Sequence, residues 1–320
     1  MRVSTQTAAR LLALGAAVVA VALVLDVCAA TSSASAASTH VAPATRVVAA
    51  DAPVYPGVRV VRDLVYDRVH GEDLKLDVCL PPEHGRGRIA ARPAILSIHG
   101  GSWAHGAITD PDWMDVCQWL ASSGYVTASV EYELAPEHPY PAAITEIERA
   151  VEWLRERVED KRFAIDPALI GAFGGSAGGN LAALLGTLGH GSTTTGHRVS
   201  AVAELSGPTN LTGSGLEQAD FYPYVLSYLH CAKFSTCPQA VDASPLYHVD
   251  KTDPPFFIGQ SSDERIPLVQ STSFVKRLVQ AGVDVTFVTI VGHKHSISML
   301  DSAMRARIIE FFRAKLHSKS

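Results

Sequence analysis

The sequence predicts an α/β fold: a mostly parallel, eight-stranded sheet with helices packed on both faces. Three observations carry this expectation. Short apolar segments rich in Val, Ile and Ala alternate with longer, helix-like segments along most of the chain, the pattern of a doubly wound sheet. The 320 residues are 47% hydrophobic and only 18% charged, enough apolar material for one large core. Finally, the residues with chemical potential fall just after the apolar segments, at the strand ends where such sheets keep their ligand sites.

The chain opens with Arg2 and Arg10 before an apolar run at 11–25, and a small-residue stretch follows with Ala34-Ser35-Ala36 as an A-x-A cleavage site. This reads as a signal peptide over 1–36, with an uncleaved anchor as its rival. The run is short of the ~20 residues that span a membrane, so no stable membrane insertion is expected after cleavage. Residues 37–57 read as a linker and 58–318 as the folded domain. Within it, 58–69 and 74–80 read as an antiparallel opening pair. Strands near 94–98, 126–131, 169–173, 199–205, 255–259 and 284–290 then alternate with helices near 110–123, 141–159, 177–187, 268–281 and 302–316. Residues 208–244 interrupt this alternation with Gly, Tyr and Pro and read as a small cap. In it Tyr222, Tyr224 and Tyr228 either touch a ligand or pack within the cap.

The strand near 169–173 runs into Gly174-Gly175-Ser176-Ala177-Gly178 and then an Ala/Leu-rich helix. Glycines on both sides of Ser176 permit a sharp strand-to-helix turn that projects its hydroxyl as a nucleophile. Upstream, His99-Gly100-Gly101-Ser102-Trp103 follows a buried strand. The N–H groups of Gly101 and Ser102, with that of Ala177, are the expected donors to a tetrahedral oxyanion. His99 reads as a hydrogen-bonding brace of the loop, and Trp103 either lines a substrate pocket or packs beneath the loop. Downstream, Asp263 leaves the strand at 255–259 and is the expected acid, with its neighbour Glu264 ranked below it. The last strand ends in Gly292-His293-Lys294-His295-Ser296, which offers two candidate bases, His293 and His295. The order Ser, Asp, His is that of a nucleophile–acid–base triad on this kind of sheet.

These motifs resemble serine esterases of the α/β-hydrolase superfamily, in the hormone-sensitive-lipase-like group, and most of all the branch with bifunctional feruloyl and acetyl-xylan esterases. The resemblance covers about 58–316. It rests on His99-Gly100-Gly101-Ser102-Trp103, on Glu131-Tyr132-Glu133-Leu134-Ala135-Pro136-Glu137-His138-Pro139-Tyr140-Pro141-Ala142-Ala143, on the segment around Ser176, and on the loops at 263–271 and 292–297. It implies a catalytic triad of Ser176, Asp263 and His295, so it selects His295 over His293. Three departures stand out. Gly259-Gln260 replaces the usual His-Gly before the acid loop, Ser296 replaces a glycine after the histidine, and Gly175 replaces the acidic residue of the lipase-like branch.

The resemblance implies a carboxylesterase acting through an acyl-enzyme on Ser176, and the short cap, without the apolar stripe of an interfacial lid, points to short-chain acyl or small aryl esters. A peptidase of the same fold and a silent, ligand-binding hydrolase fold are the alternatives. The formal charge of −5 is spread without blocks, which argues against a nucleic-acid partner. No metal-ligand spacing, phosphate loop or dinucleotide fingerprint is present in the sequence, so no cofactor is implied. Export, to a secreted or cell-envelope location, removes Cys28 and leaves Cys79, Cys117, Cys231 and Cys237. In an oxidising compartment Cys231 and Cys237 can close a small loop, while Cys79 and Cys117 read as either a bridge or buried thiols.

Overall fold

A computed structural model describes residues 55–83, 90–157, 160–216 and 220–317. The expected signal peptide at 1–36 and most of the 37–57 linker lie outside the described residues.

One sheet of eight strands organises the domain, in the order β1-β2-β4-β3-β5-β6-β7-β8. β1 (Arg59–Val69) and β2 (Glu72–Leu80) pair antiparallel, and β2 also runs antiparallel to β4 (Val126–Val130). From β4 onward the pairings are parallel, through β3 (Arg92–Ile98), β5 (Ile165–Gly175), β6 (Ala201–Leu205), β7 (Phe256–Ser261) and β8 (Val285–Ile290). The interior strands β4 and β6 are buried at every residue, as strands covered on both faces must be. At the edge, β8 is only partly buried.

Helices α1 (Pro111–Ser122), α2 (Ala142–Glu156), α3 (Ala177–Thr187), α6 (Leu268–Ala281) and α7 (Ser302–Lys315) follow the sequence expectation closely, and the short α4 (Tyr222–Tyr228) and α5 (Gln239–Asp242) lie in the 208–244 insertion. Their ends carry recognisable signals. Pro111 occupies the first turn of α1, where no N–H is needed. The Asp301 side chain accepts from the Met304 N–H at 2.9 Å to cap α7, and Gly282 closes α6 at φ +82°, a left-handed position that suits glycine. α3 is buried along its whole length, so it can only be Ala, Leu, Gly and a few bonded polar residues. Two apolar clusters fill the faces of the sheet. One contains α2, α3 and the inner face of α6, and the other contains α1 and α7.

Two disulfides are present, Cys79–Cys117 between β2 and α1 and Cys231–Cys237 within the insertion. The first closes a 38-residue separation, worth about 4 kcal/mol in the chain-entropy account. Among the described residues, no helix is long and apolar enough to cross a membrane.

Candidate active site

β5 ends at Gly175, α3 begins at Ala177, and Ser176 between them holds φ 58° and ψ −124°. That conformation is costly for a residue with a Cβ. Its surroundings hold it there: the Ser176 N–H donates to Leu205 O at 2.8 Å and its carbonyl accepts from the Asn180 N–H at 3.0 Å. The flanking glycines are needed for space. A Cβ on Gly174 would lie 2.0 Å from Gly178 O, and one on Gly178 would lie 2.1 Å from Ile98 O, both impossible contacts. The serine is thereby pushed out of the backbone path and into the cleft.

The Ser176 hydroxyl lies 2.9 Å from Nε2 of His295. The other ring nitrogen, Nδ1, hydrogen-bonds the carboxylate of Glu264. Ser176 and His295 are therefore brought together, but the expected acid, Asp263, is not with them. Asp263 faces outward and pairs with His293 at 3.3 Å, both side chains being 80% exposed. The carboxylate that reaches the imidazole belongs to Glu264, whose side chain is fully buried. The reason is the chain path after β7. The loop presents successive side chains to opposite sides, so residue 263 meets solvent and residue 264 turns inward. The longer glutamate then spans the remaining distance.

Gln260, completely buried near the end of β7, explains why a carboxylate is tolerated there. Its amide donates to Glu264 Oε1 and to Ile266 O, and its own oxygen accepts from the Ser271 hydroxyl at 2.8 Å. Glu264 thus has a partner on each oxygen, which a buried charge requires. Gln260 was visible in the sequence only as a departure from the family's His-Gly. The other two departures fit each other. Ser296 holds φ 55°, its N–H donates to Ser206 Oγ at 2.9 Å, and its hydroxyl occupies the space beside residue 175. A Cβ on Gly175 would lie 2.2 Å from Ser296 Oγ, so a side chain at 175 would force that hydroxyl to rotate away.

The 99–103 loop lies against the elbow: a Cβ on Gly100 would be 2.8 Å from Gly175 O. Gly101 holds φ +128°, and its carbonyl accepts from the His105 N–H at 2.9 Å. Among the described residues, no acceptor is bonded to the N–H groups of Gly101, Ser102 or Ala177. Ser102 and Ala177 line a small cavity beside Ser176, and Gly101 lines the open cleft on its other side. His99 braces the loop as expected: its Nδ1 meets Gly100 O at 2.8 Å and its ring stacks on Tyr132 at 4.3 Å. Burial pushes the His99 pKa down, so the ring is neutral.

Trp103 is 1% exposed. It stacks on Tyr228 at 4.6 Å and donates through Nε1 to Asn180 Oδ1 at 3.2 Å. It borders the small cavity but packs chiefly as the wedge between loop, cap and α3. Tyr228 is equally buried and Tyr222 packs on Phe234, whereas Tyr224 is 39% exposed.

The space around Ser176 is unequal. The inner cavity, walled by Trp103, Pro208, Phe221 and Ile266, holds about 10 Å³, room for roughly one water centre. The outer cleft is about 1110 Å³, bordered by Trp113, Val116, Ile297 and Leu300 together with Asp115 and Arg305.

Another carboxyl lies beneath this site. Glu204, on β6, is completely buried and accepts from the Gly207 N–H at 2.7 Å. Burial, with a smaller contribution from the Glu264 charge, pushes its pKa up to about 8.

The BD-FAE family model matches residues 76–278. Esterase LipC of Mycobacterium tuberculosis is 31% identical over 242 residues, 70% of this chain and 59% of the relative. Esterase LipQ of the same organism is 27% identical over 247 residues, 75% of this chain and 58% of the relative. The chain thus spans less than two thirds of either relative's length. A solved structure described as a truncated form of carbohydrate esterase from gut microbiota superposes with a TM-score of 0.69 at 22% identity, covering 82% of this chain and 99% of that one. The fold is thus the α/β-hydrolase fold.

Proposed function

The chain belongs to the BD-FAE family, and on that premise we propose that it is a serine carboxylesterase whose triad is Ser176, His295 and Glu264. The observation that carries this reading is the continuous relay from the Ser176 hydroxyl through both nitrogens of His295 to a buried carboxylate. His295 Nε2 takes the hydroxyl proton as Ser176 Oγ attacks the ester carbonyl. Glu264 holds the imidazole with Nδ1 protonated and stabilises the imidazolium. The N–H groups of Ser102 and Ala177, with Gly101 beside them, receive the oxyanion. Collapse of the tetrahedral intermediate releases the alcohol, protonated by His295, and leaves an acyl group on Ser176. Water, activated by the same histidine, then frees the acid.

The two unequal spaces support a short acyl group in the inner cavity and a larger alcohol portion in the outer cleft. We also propose that the protein acts outside the reducing cytosol, secreted or held at the cell envelope. Its two disulfides support this, since such bonds persist in oxidising compartments. The test of the activity is turnover of p-nitrophenyl esters from acetyl to palmitoyl, with Ser176→Ala as control. The expected result is a maximum at the shortest chains and a loss of about 10³-fold or more in the variant. A long-chain optimum would overturn the acyl assignment, and an active Ser176→Ala would overturn the nucleophile.

A further inference from the structure

We propose that His70, Glu133 and His138 form a binding site for a divalent transition-metal ion of the zinc class. The site ties the β1–β2 turn to the segment that supports the oxyanion loop. Nothing in the sequence spacing announces it, because His70 and the other two residues come from distant parts of the chain. His70 stands at the tip of the hairpin, followed by Gly71, both at positive φ in the two-residue turn that joins β1 to β2. Glu133 and His138 lie in the segment after β4, within the 131–143 motif that the triad does not use.

One atom from each residue converges on the same point. His138 Nδ1 is 3.1 Å and His70 Nε2 is 3.9 Å from Glu133 Oε2, and all three atoms lie within 4.8 Å of one another. Ligands bound at about 2.0–2.2 Å around a tetrahedral ion stand about 3.3 Å apart, so small side-chain rotations suffice. Glu133 Oε2 supplies a second observation. It is a buried oxygen without a hydrogen-bond partner, although an imidazole nitrogen lies at hydrogen-bonding distance. The ring nitrogen is out of line for a hydrogen bond, which leaves a lone pair of that buried oxygen unused and open to a cation. On its other side the Glu133 N–H donates to the carboxyl of Glu146, itself 2% exposed, at 2.7 Å, which anchors the Glu133 backbone. Two imidazoles and one carboxylate suit zinc and its neighbours better than calcium or magnesium, which prefer all-oxygen shells. His70 is 69% exposed on its side chain, which leaves an open side for water as the fourth ligand.

The location gives the ion a structural role. From the same segment, Tyr132 donates its hydroxyl to His99 O at 2.8 Å and the Ala135 N–H donates to Trp103 O at 2.9 Å. An ion on Glu133 and His138 would therefore brace both ends of the 99–103 loop from outside the cleft, without touching substrate.

Calorimetric titration of the untagged, chelator-treated full chain with zinc chloride tests this, alongside thermal melts of the same samples. Wild type should show one saturable site and a rise in Tm with zinc. His70→Ala, His138→Ala and the near-isosteric Glu133→Gln should each weaken that site by more than about tenfold and remove the rise in Tm. His293→Ala, at a different surface histidine–carboxylate pair, should behave like wild type. His70 is an exposed turn residue, so its variant keeps the test valid if the other two fold poorly. No saturable binding by wild type, or unchanged binding by His70→Ala, would overturn the proposal. Ester turnover plays no part in these readouts, so they stand apart from the proposed catalytic function.

Discussion

Asp263–His293 and Glu264–His295 are built from the same two loops, one residue apart on the first and two apart on the second. The outer pair has both side chains 80% exposed, whereas in the inner pair the histidine is 25% exposed and the glutamate not at all. In the outer pair, His293 Nδ1 hydrogen-bonds the Asp263 backbone carbonyl at 2.6 Å, with the carboxylate at 3.3 Å, a solvent-screened surface contact worth little. The inner pair has a serine hydroxyl on one side and the Gln260 amide on the other, so its orientation is fixed before substrate arrives. The same residue types thus give the relay proposed for catalysis or an ordinary surface contact according to which way one residue faces.

The largest expected effect separates the two histidines. His295→Ala should lower kcat/KM for p-nitrophenyl acetate by about 10³-fold or more. His293→Ala should stay within about twofold of wild type, as exposed substitutions usually do. Equal losses would mean that the outer pair shares the chemistry.

A smaller effect is expected from Gln260→Leu, which removes the donor to Glu264 and keeps most of the volume. Losing a hydrogen bond to a buried charge should cost on the order of tenfold in kcat, with KM little changed because Gln260 does not touch the cleft. A change confined to KM would show that Gln260 does not position the acid.

The smallest effect concerns stability. Glu204 keeps its proton in the folded protein up to about pH 8, whereas in the unfolded chain it ionises near its ordinary value of 4.5. Between these values the folded state binds more protons, so stability falls as pH rises through this window. Glu204→Gln cannot ionise and should flatten that fall. Asp253 and Glu146, raised to about 7 by burial, contribute in the same direction, so the slope is reduced rather than abolished. Melting curves from about pH 5 to pH 8 read this directly; an unchanged slope would mean that Glu204 is not protonated in the fold.

The sheet and its helices were legible because burial leaves a periodic trace. β4 and β6 are short runs of mostly small and apolar residues, buried at every position, and the glycines around Ser176 mark a sharp strand-to-helix turn. His295 was legible through the loop motif around it. The choice between Asp263 and Glu264 was not, because it depends on which of two consecutive side chains turns inward, and composition is the same for both orders. The partner that decides it, Gln260, is separated from the carboxylate by a bend that sequence does not display. The Cys79–Cys117 bridge was equally hidden, since a strand cysteine and a helix cysteine reveal no pairing until helix and strand are packed. The contact between Gly175 and Ser296 was visible only as two separate departures from the family pattern.

The most direct measurement is a parallel kinetic comparison of Glu264→Gln and Asp263→Asn, each nearly isosteric. Glu264→Gln should lower kcat for p-nitrophenyl acetate by about 10³–10⁴-fold, since the imidazole loses both its orienting charge and its enforced tautomer. Asp263→Asn should remain within about twofold of wild type. The reverse result, with Asp263→Asn crippled and Glu264→Gln active, would contradict the assignment of Glu264 as the acid.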